Sequence, residues 1–206
     1  MLNFREGEVI CINKPYKVSS FGALAFVRTR ISRALGIKRV KIGHAGTLDP
    51  LATGVLVLCT GKATKRIDEF MQHDKEYTAT LQFGATTASF DMEHPESEWF
   101  EKDHITENGL REELKKFVGN IKQVPPVYSA CNVNGKRAYQ LARKDREVEL
   151  KAKPVRIEEI ELLEFDDEKK AARIRVVCGK GTYIRALARD IGEAMHSGAY
   201  LTQLCR

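Results

Sequence analysis

The residue in this chain with the clearest chemical potential is Asp49, which lies in the glycine-punctuated stretch GHAGTLDPLATG at residues 43–54. Glycines let a backbone turn or approach another group without a Cβ clash, and Pro50 biases Asp49 towards an extended conformation. The apolar run 55–59 that follows predicts a buried strand. We therefore expect a carboxylate that is held on a stiff turn at the entrance to a core strand.

The charges around Asp49 are almost all of one sign. Between Lys14 and Arg66 the chain carries eleven Lys or Arg and a single acid, Asp49 itself, which is a net charge of +10. In such a field the carboxylate is expected to stay ionised. If the cations bind an anionic polymer, Asp49 is the one group there that would repel it, which favours a chemical role. The alternative, that Asp49 only caps a turn, fits the local sequence equally well.

The length, composition and charge distribution of the chain predict an ordinary globular protein with an anionic partner. The 206 residues are 43% hydrophobic, 30% charged and carry a formal net charge of +6, so one domain with an insertion is expected. Nine acids crowd residues 91–113, and a basic segment beside an acidic one suggests nucleic acid. Five cysteines without a CxxC pair argue against a zinc site or a disulfide framework. With no apolar signal segment and no membrane-length run, we expect a cytoplasmic protein.

Hydrophobic patterning predicts both strands and helices. Strands are expected at 8–13, 55–59, 75–83, 154–165 and 171–178, and helices at 21–35, 63–70, 106–118 and 183–195. The stretch 85–101 is polar and broken, which predicts a surface loop. The stretch 132–153 is polar and basic, which suits either an arm that grips a phosphate backbone or a solvated excursion.

Two of these elements carry further candidate residues. Tyr77 alternates with apolar residues on the strand 75–83, so it is either part of the core or an aromatic on which a base stacks. Tyr183 and Arg185 lie in the first turn of the last helix, where the helix dipole disfavours a cation. A specific anionic partner for Arg185 is therefore expected, and Asp49 would suit; an ordinary surface pair is the alternative.

Taken together, several stretches resemble the TruB family of tRNA pseudouridine synthases, in the family's order and over most of the chain. The matching stretches are GHAGTLDPLATGVLVL (43–58), GKATK (61–65), KEYTATLQFG (75–84), QVPPVYSA with NGKRAYQLAR (123–143) and KGTYIRALARDIGEAM (180–195). The first is highly specific, and the others are strong only jointly.

The resemblance implies an α/β (α+β) pseudouridine synthase fold, with a mixed, mostly antiparallel sheet, flanking helices, a central cleft and a basic insertion arm at about 128–153. It implies an isomerase that converts uridine 55 in the TΨC loop of tRNA to pseudouridine by base flipping, glycosidic bond cleavage and reattachment through C5. No cofactor or metal is implied. The partner would be the T-arm stem-loop of tRNA, and we expect a monomer without a protein partner.

The resemblance also implies roles for particular residues. Asp49 matches the essential aspartate, Tyr77 the tyrosine that stacks on the extruded uracil, and Arg185 the arginine that pairs with the aspartate. The substrate-binding positions that match are His44 in the base-flipping arrangement, Tyr183 and Leu204 in the pocket, Lys65 in a basic motif, and Lys136, Arg137 and Arg143 in the arm.

The chain departs from the family pattern in two places. Residues 87–91 read Thr-Ala-Ser-Phe-Asp and are followed by His94 where glycine is usual, which alters the expected contacts of this loop with tRNA. The sequence ends at Arg206, so we expect a single catalytic domain, 1–206, without the PUA-like RNA-binding domain of longer relatives. Two rival functions stay open: a non-catalytic RNA-binding or remodelling protein, and a guide-RNA-dependent pseudouridine synthase.

Overall fold

A computed structural model describes residues 2–129, 131–133, 136–137 and 150–206. The chain divides into two compact units, Met1–Asp74 with Leu204–Arg206, and Lys75–Gln203. Both units combine helices with antiparallel strands, so the predicted α+β class is confirmed. None of the helices in the described part of the chain has the length and apolar character of a membrane-spanning segment.

The first unit is a small sheet covered by one long helix. Its strands pair antiparallel in the order β1-β3-β2. The elements are β1 (Val9–Lys14), α1 (Ser20–Ala34), β2 (Ile42–His44), β3 (Gly54–Thr60), a 3₁₀-helix (Gly61–Arg66) and α2 (Ile67–Gln72). The helix predicted at 63–70 is thus a 3₁₀ turn that continues as a short α-helix.

Local sequence signals set both ends of α1. The Ser19 side chain accepts a hydrogen bond from the Gly22 amide at 3.0 Å, which caps the first turn. Gly36 follows the last turn with φ of +63°, the left-handed conformation that glycine adopts most readily. Between these ends, the apolar face of α1 packs on β3 and forms the core of the unit. The buried residues of this core are Ala23, Leu24, Leu56 and Leu58.

The second unit is built on a five-stranded sheet with the order β12-β4-β11-β10-β7. Its strands and helices are β4 (Lys75–Phe83), β5 (Ala85–Thr87), β6 (Glu96–Trp99), α3 (Glu107–Lys115), β7 (Gly119–Gln123), β8 (Asn132–Val133), β9 (Lys136–Arg137), β10 (Lys153–Asp166), β11 (Ala171–Cys178), α4 (Ile184–Ala194) and β12 (Ala199–Cys205). The predicted hairpin is present as β10 and β11, and β4 has the bounds that its alternation predicts.

The prediction of a surface loop at 85–101 is wrong in part. β5 and β6 form a hairpin, and every second residue from Ala85 to Asp91 is buried. Most of these buried residues are polar and satisfy one another; the Thr87 hydroxyl, for example, donates to the Asp91 carbonyl at 2.7 Å. A hydrophobicity pattern misses such a segment because its buried face is not apolar.

Candidate active site

Asp49 lies in the first unit, in the loop 45–53 between β2 and β3, which we call the Asp49 loop. Asp49 is half-buried, and its carbonyl accepts a hydrogen bond from the Ala52 amide at 3.1 Å. The flanking apolar residues Leu48 and Ala52 are buried. The predicted stiff turn before a core strand is therefore present, with its apolar neighbours acting as anchors on both sides of the carboxylate.

A buried serine ties the Asp49 loop to the beginning of α1. The Ser20 hydroxyl accepts a hydrogen bond from the Leu48 amide at 2.8 Å and donates one to the Leu48 carbonyl at 2.9 Å. Because Leu48 directly precedes Asp49, this pair of bonds fixes the backbone from which the carboxylate projects. This contact between α1 and the loop is a tertiary feature, since Ser20 and Leu48 are 28 positions apart in the sequence.

Lys14 holds the same loop from another side. Its side chain is fully buried, and Nζ donates to the carbonyls of Pro15 at 3.0 Å, Val18 at 2.6 Å and Pro50 at 3.2 Å. Burial lowers the pKa of Lys14, while the Asp49 carboxylate acts in the opposite direction. Lys14 therefore does not belong to the basic surface in which the sequence counts it; it is an internal cation that orders the backbone around Asp49.

The last residues of the chain pair with the end of the Asp49 loop. The Leu204 carbonyl accepts from the Thr53 amide at 2.9 Å, and the Arg206 carbonyl accepts from the Val55 amide at 2.9 Å. This places Leu204, a predicted pocket residue, beside the segment that carries Asp49. Gly54 lies between the two bonds with φ of +105°, and a Cβ there would overlap the Arg206 carbonyl oxygen.

Gly54→Ala is expected to lower the free energy of unfolding by about 3 kcal/mol, because it adds a backbone clash to left-handed strain. Gly36→Ala is the matched control, since Gly36 also has positive φ but has open space where its Cβ would lie. Gly36→Ala should lower the free energy of unfolding by only about 1 kcal/mol. Urea denaturation of the two variants measures the difference. Equal losses would show that the close approach of Arg206 contributes nothing.

His44 and Lys65 lie in the same unit as Asp49. His44 ends β2 and is half-buried; burial lowers its pKa, the Arg206 charge lowers it further, and a hydrogen bond with Gly46 opposes both. Its imidazole is therefore neutral at pH 7, and among the residues that the structure describes its buried Nδ1 has no hydrogen-bond partner. Lys65 is exposed on the 3₁₀-helix.

Arg185 lies in the second unit, in the first turn of α4, and its side chain is only 4% exposed. Nη1 donates to the Ser89 carbonyl and Nη2 to the Tyr128 carbonyl, both at 2.9 Å, and Nε lies 3.6 Å from Asp91 Oδ2. The alternative of an ordinary surface pair is therefore wrong. The expected anionic partner exists within the unit as Asp91, and the pairing of Arg185 with Asp49 stays a prediction.

Asp91 is a residue that the sequence interpretation missed. Its Oδ1 accepts from the Ser89 hydroxyl at 2.6 Å and from the Glu93 amide at 2.9 Å, so the carboxylate is fixed while Oδ2 faces Arg185. The available signal is the alternation of Thr87, Ser89 and Asp91 within the segment predicted to be a surface loop. The departure at His94 is also structural, since its ring lies 4.4 Å from the Tyr128 ring, centroid to centroid.

The two predicted tyrosines are in the second unit as well. Tyr77 is half-exposed, whereas Ala79, Leu81 and Phe83 on the same face of β4 are buried. Tyr77 is thus at the less buried end of this row, and its role as a stacking platform or as part of the core stays a prediction. The backbone amide of Tyr183 donates a hydrogen bond to Gln123 Oε1 at 2.8 Å. Burial raises the pKa of the Tyr183 hydroxyl, and a hydrogen bond with the Ser129 side chain acts in the opposite direction.

The arm residues can be placed only in part. Lys136 and Arg137 belong to the backbone of β9, which pairs with β8, and their side chains lie outside the described residues, as does Arg143. In the portion of the chain that the structure describes, no three His, Cys, Asp or Glu side chains are grouped so that they could hold a metal ion.

Residues 32–184 match the family described as "TruB family pseudouridylate synthase (N terminal domain)". The chain belongs to the TruB family of pseudouridylate synthases. It is 61% identical over 207 residues to a protein of Bacteroides thetaiotaomicron named tRNA pseudouridine synthase B, covering 100% of this chain and 86% of that relative. A protein of the same name from Flavobacterium johnsoniae is 46% identical and is covered to 88%, with 98% of this chain aligned.

Solved structures agree with this family fold. A chain in "Crystal Structure of a Cbf5-Nop10-Gar1 Complex" superimposes with a TM-score of 0.71 at 28% identity over 98% of this chain. A chain in "Structure of H/ACA RNP bound to a substrate RNA containing 2'-deoxyuridine" gives a TM-score of 0.66 at 26% identity over 98% of this chain. This chain spans 48% and 47% of those two chains, about half their length.

Proposed function

We propose that this TruB-family protein is a tRNA pseudouridine synthase that isomerises uridine 55 in the TΨC loop of tRNA. The observation that carries the proposal is the 61% identity, over the whole chain, to a relative named tRNA pseudouridine synthase B. The geometry of the Asp49 loop supports it, because a carboxylate ordered by Ser20 and Lys14 is suited to a fixed chemical task.

The proposed reaction balances without an oxidant or a co-reactant. The bond between N1 of uracil and C1′ of ribose breaks, the base turns, and a bond forms between C5 and C1′; the proton on C5 leaves and N1 gains one. Asp49 supplies the group that makes the first step possible, as nucleophile or as base. Three routes use this carboxylate: attack at C1′, attack at C6 of uracil, and removal of the proton at C2′.

The target base must first leave the stack of its loop, which costs a few kcal/mol. Tyr77, at the less buried end of its row on β4, is proposed to receive the base by stacking, which returns about 1–3 kcal/mol. Tyr183 and Leu204 are proposed to line the pocket. His44, neutral at pH 7, is proposed to take part in base flipping.

The remaining site residues are proposed to act through charge. Arg185, whose guanidinium is held by Ser89, Asp91 and Tyr128, is proposed to pair with Asp49 and to keep that carboxylate ionised and aimed. Lys65 and the arm residues Lys136, Arg137 and Arg143 are proposed to contact phosphates of the T-arm stem.

Tyr77→Ala is expected to lower the rate of pseudouridine formation by about 5- to 150-fold, the equivalent of one lost base stack. The melting temperature should fall by only a few degrees, because the ring is half-exposed. Single-turnover assays and thermal denaturation measure the two effects. Tyr77→Phe is the control, since it keeps the ring and should keep most of the rate. A large loss of thermal stability with a nearly normal rate would instead support a core role.

Mapping of pseudouridine in an unmodified tRNA transcript tests the proposed function. The purified protein alone should produce pseudouridine at position 55 of the T loop. Tight tRNA binding without product would favour a non-catalytic RNA-binding or remodelling protein. Product that appears only after addition of a guide RNA and protein partners would favour the guide-dependent alternative.

A further inference from the structure

The solvent-facing side of α1 combines exposed aromatic rings with arginines. The Phe21 and Phe26 side chains are 64% and 62% exposed. The Arg28 guanidinium lies 5.8 Å from the centre of the Phe21 ring, and the Arg30 guanidinium lies 5.1 Å from the centre of the Phe26 ring. We call this the α1 surface and define it as Phe21, Phe26, Arg28, Arg30 and Arg33.

The charges of the α1 surface are not neutralised by the protein. No acidic residue occurs in α1, and within the described ranges of the chain no carboxylate lies at ion-pair distance from Arg28, Arg30 or Arg33. By contrast, Arg111 on α3 is held by Glu107 at 2.6 Å. An unneutralised cation beside an exposed ring is the combination that binds nucleic acid, because phosphates meet the charge and bases stack on the ring.

The α1 surface is also rigidly joined to the Asp49 loop. Ser20, the first residue of α1, makes both hydrogen bonds that fix Leu48. The helix rises by about 1.5 Å per residue, so Arg33 lies about 20 Å along its axis from Ser20. RNA whose target nucleotide is held at Asp49 therefore has the two Phe–Arg pairs of α1, one on each flank of its exposed face, within reach of its neighbouring nucleotides.

We propose that the α1 surface binds unpaired nucleotides of the RNA substrate beyond the one that is flipped. Bases stack on Phe21 and Phe26, and Arg28, Arg30 and Arg33 contact the phosphates. Unpaired RNA is the favoured partner because a duplex hides the faces of its bases and would leave both rings unused. A membrane surface is less well matched, since the broad apolar face of α1 is already buried against β3. The inference rests on the proposed function for the identity of the RNA.

Salt-dependent binding of the full chain to unmodified tRNA transcript tests the α1 surface with two variants. In R28Q/R30Q/R33Q, the slope of log affinity against log salt concentration should become shallower by about 2, because three phosphate contacts are lost. In F21A/F26A, affinity should fall about tenfold or more with an unchanged slope, because stacking does not release counterions. F21L/F26L should lose affinity like the alanine variant, since leucine keeps bulk but not an aromatic face.

The matched control is R111Q/K115Q/K116Q on α3, which removes the same formal charge from residues already paired with Glu107, Glu112 and Glu113. The slope of log affinity against log salt concentration should be the same for this control as for the protein without substitutions. An unchanged slope in the α1 arginine variant, full affinity in F21L/F26L, or the same loss of slope in the α3 control would overturn the proposal. So would Phe-dependent binding to phosphatidylserine vesicles with unchanged tRNA binding. Because binding is measured without turnover, a protein that makes no pseudouridine can still pass this test.

Discussion

Asp49→Asn is expected to reduce pseudouridine formation by at least about a thousandfold while tRNA affinity changes by about twofold or less. The amide has the shape of the carboxylate, but it can neither attack a carbon atom nor accept a proton as a carboxylate does. Each of the three proposed chemical routes is therefore blocked at the step that uses the carboxylate. The loop should keep its conformation, because the hydrogen bonds that Ser20 and Lys14 make with its backbone stay in place.

The measurement is the release of tritium from C5-labelled uridine in a tRNA transcript, at saturating enzyme and in a single turnover. Filter binding of the same tRNA reports affinity. Asp68→Asn is the matched control, because Asp68 is an exposed acid of α2 in the same unit and its change removes the same charge. It should leave the rate unchanged. Product formed at a normal rate by Asp49→Asn would contradict the assignment of Asp49 and leave a binding role for the surrounding basic surface.

Arg185→Lys is expected to reduce the turnover rate at saturating tRNA by about a hundredfold or more. A lysine has a single nitrogen, which cannot take the three separate positions from which Nη1, Nη2 and Nε reach the Ser89 carbonyl, the Tyr128 carbonyl and Asp91. The free energy of unfolding should also fall, by about 3 kcal/mol, because buried acceptors lose their donors. Turnover and urea denaturation together measure the two losses.

Asp91→Asn tests whether Asp91 acts through Arg185. An asparagine oxygen still accepts the bonds from the Ser89 hydroxyl and the Glu93 amide, so the turn should stay folded, but the charge that faces Arg185 is lost. We expect a rate loss of about tenfold and a fall of about 3 kcal/mol in the free energy of unfolding, because the buried guanidinium loses its counter-charge. In the double variant Arg185→Lys/Asp91→Asn, the loss of rate, expressed as free energy, should be smaller than the sum of the two single losses, as is expected for residues of one network. Strictly additive losses would show that Asp91 does not act through Arg185. Arg173→Lys, a change in an exposed arginine paired with Glu164, should have no effect.

Local signals in the sequence predict much of the secondary structure. The α1 helix begins after the Ser19 cap and ends before Gly36, and the alternation of β4 marks its bounds because successive side chains point to opposite faces. The position of the Asp49 turn is also set locally, since Pro50 and the apolar run of β3 mark it, whereas the hydrogen bonds that fix it come from Ser20 and Lys14, 28 and 36 positions away from their partners. Such local features depend on residues that are a few positions apart in the chain, so the sequence is enough to predict them.

The environment of the candidate residues, by contrast, depends on contacts between distant parts of the chain. Arg185 is held by carbonyls 96 and 57 positions away, and Lys14 reaches a carbonyl 36 positions away. A string of residue types shows that these side chains are cationic, but burial and partners arise only when distant segments pack. That is why the sequence places Lys14 among the cations of a basic segment and Asp91 in a loop, whereas both side chains are buried. Residue types and their spacing identify the groups that are able to react. Only packing decides which of these groups are held in place, because the free-energy cost of burying a charge is offset by partners that come from distant segments.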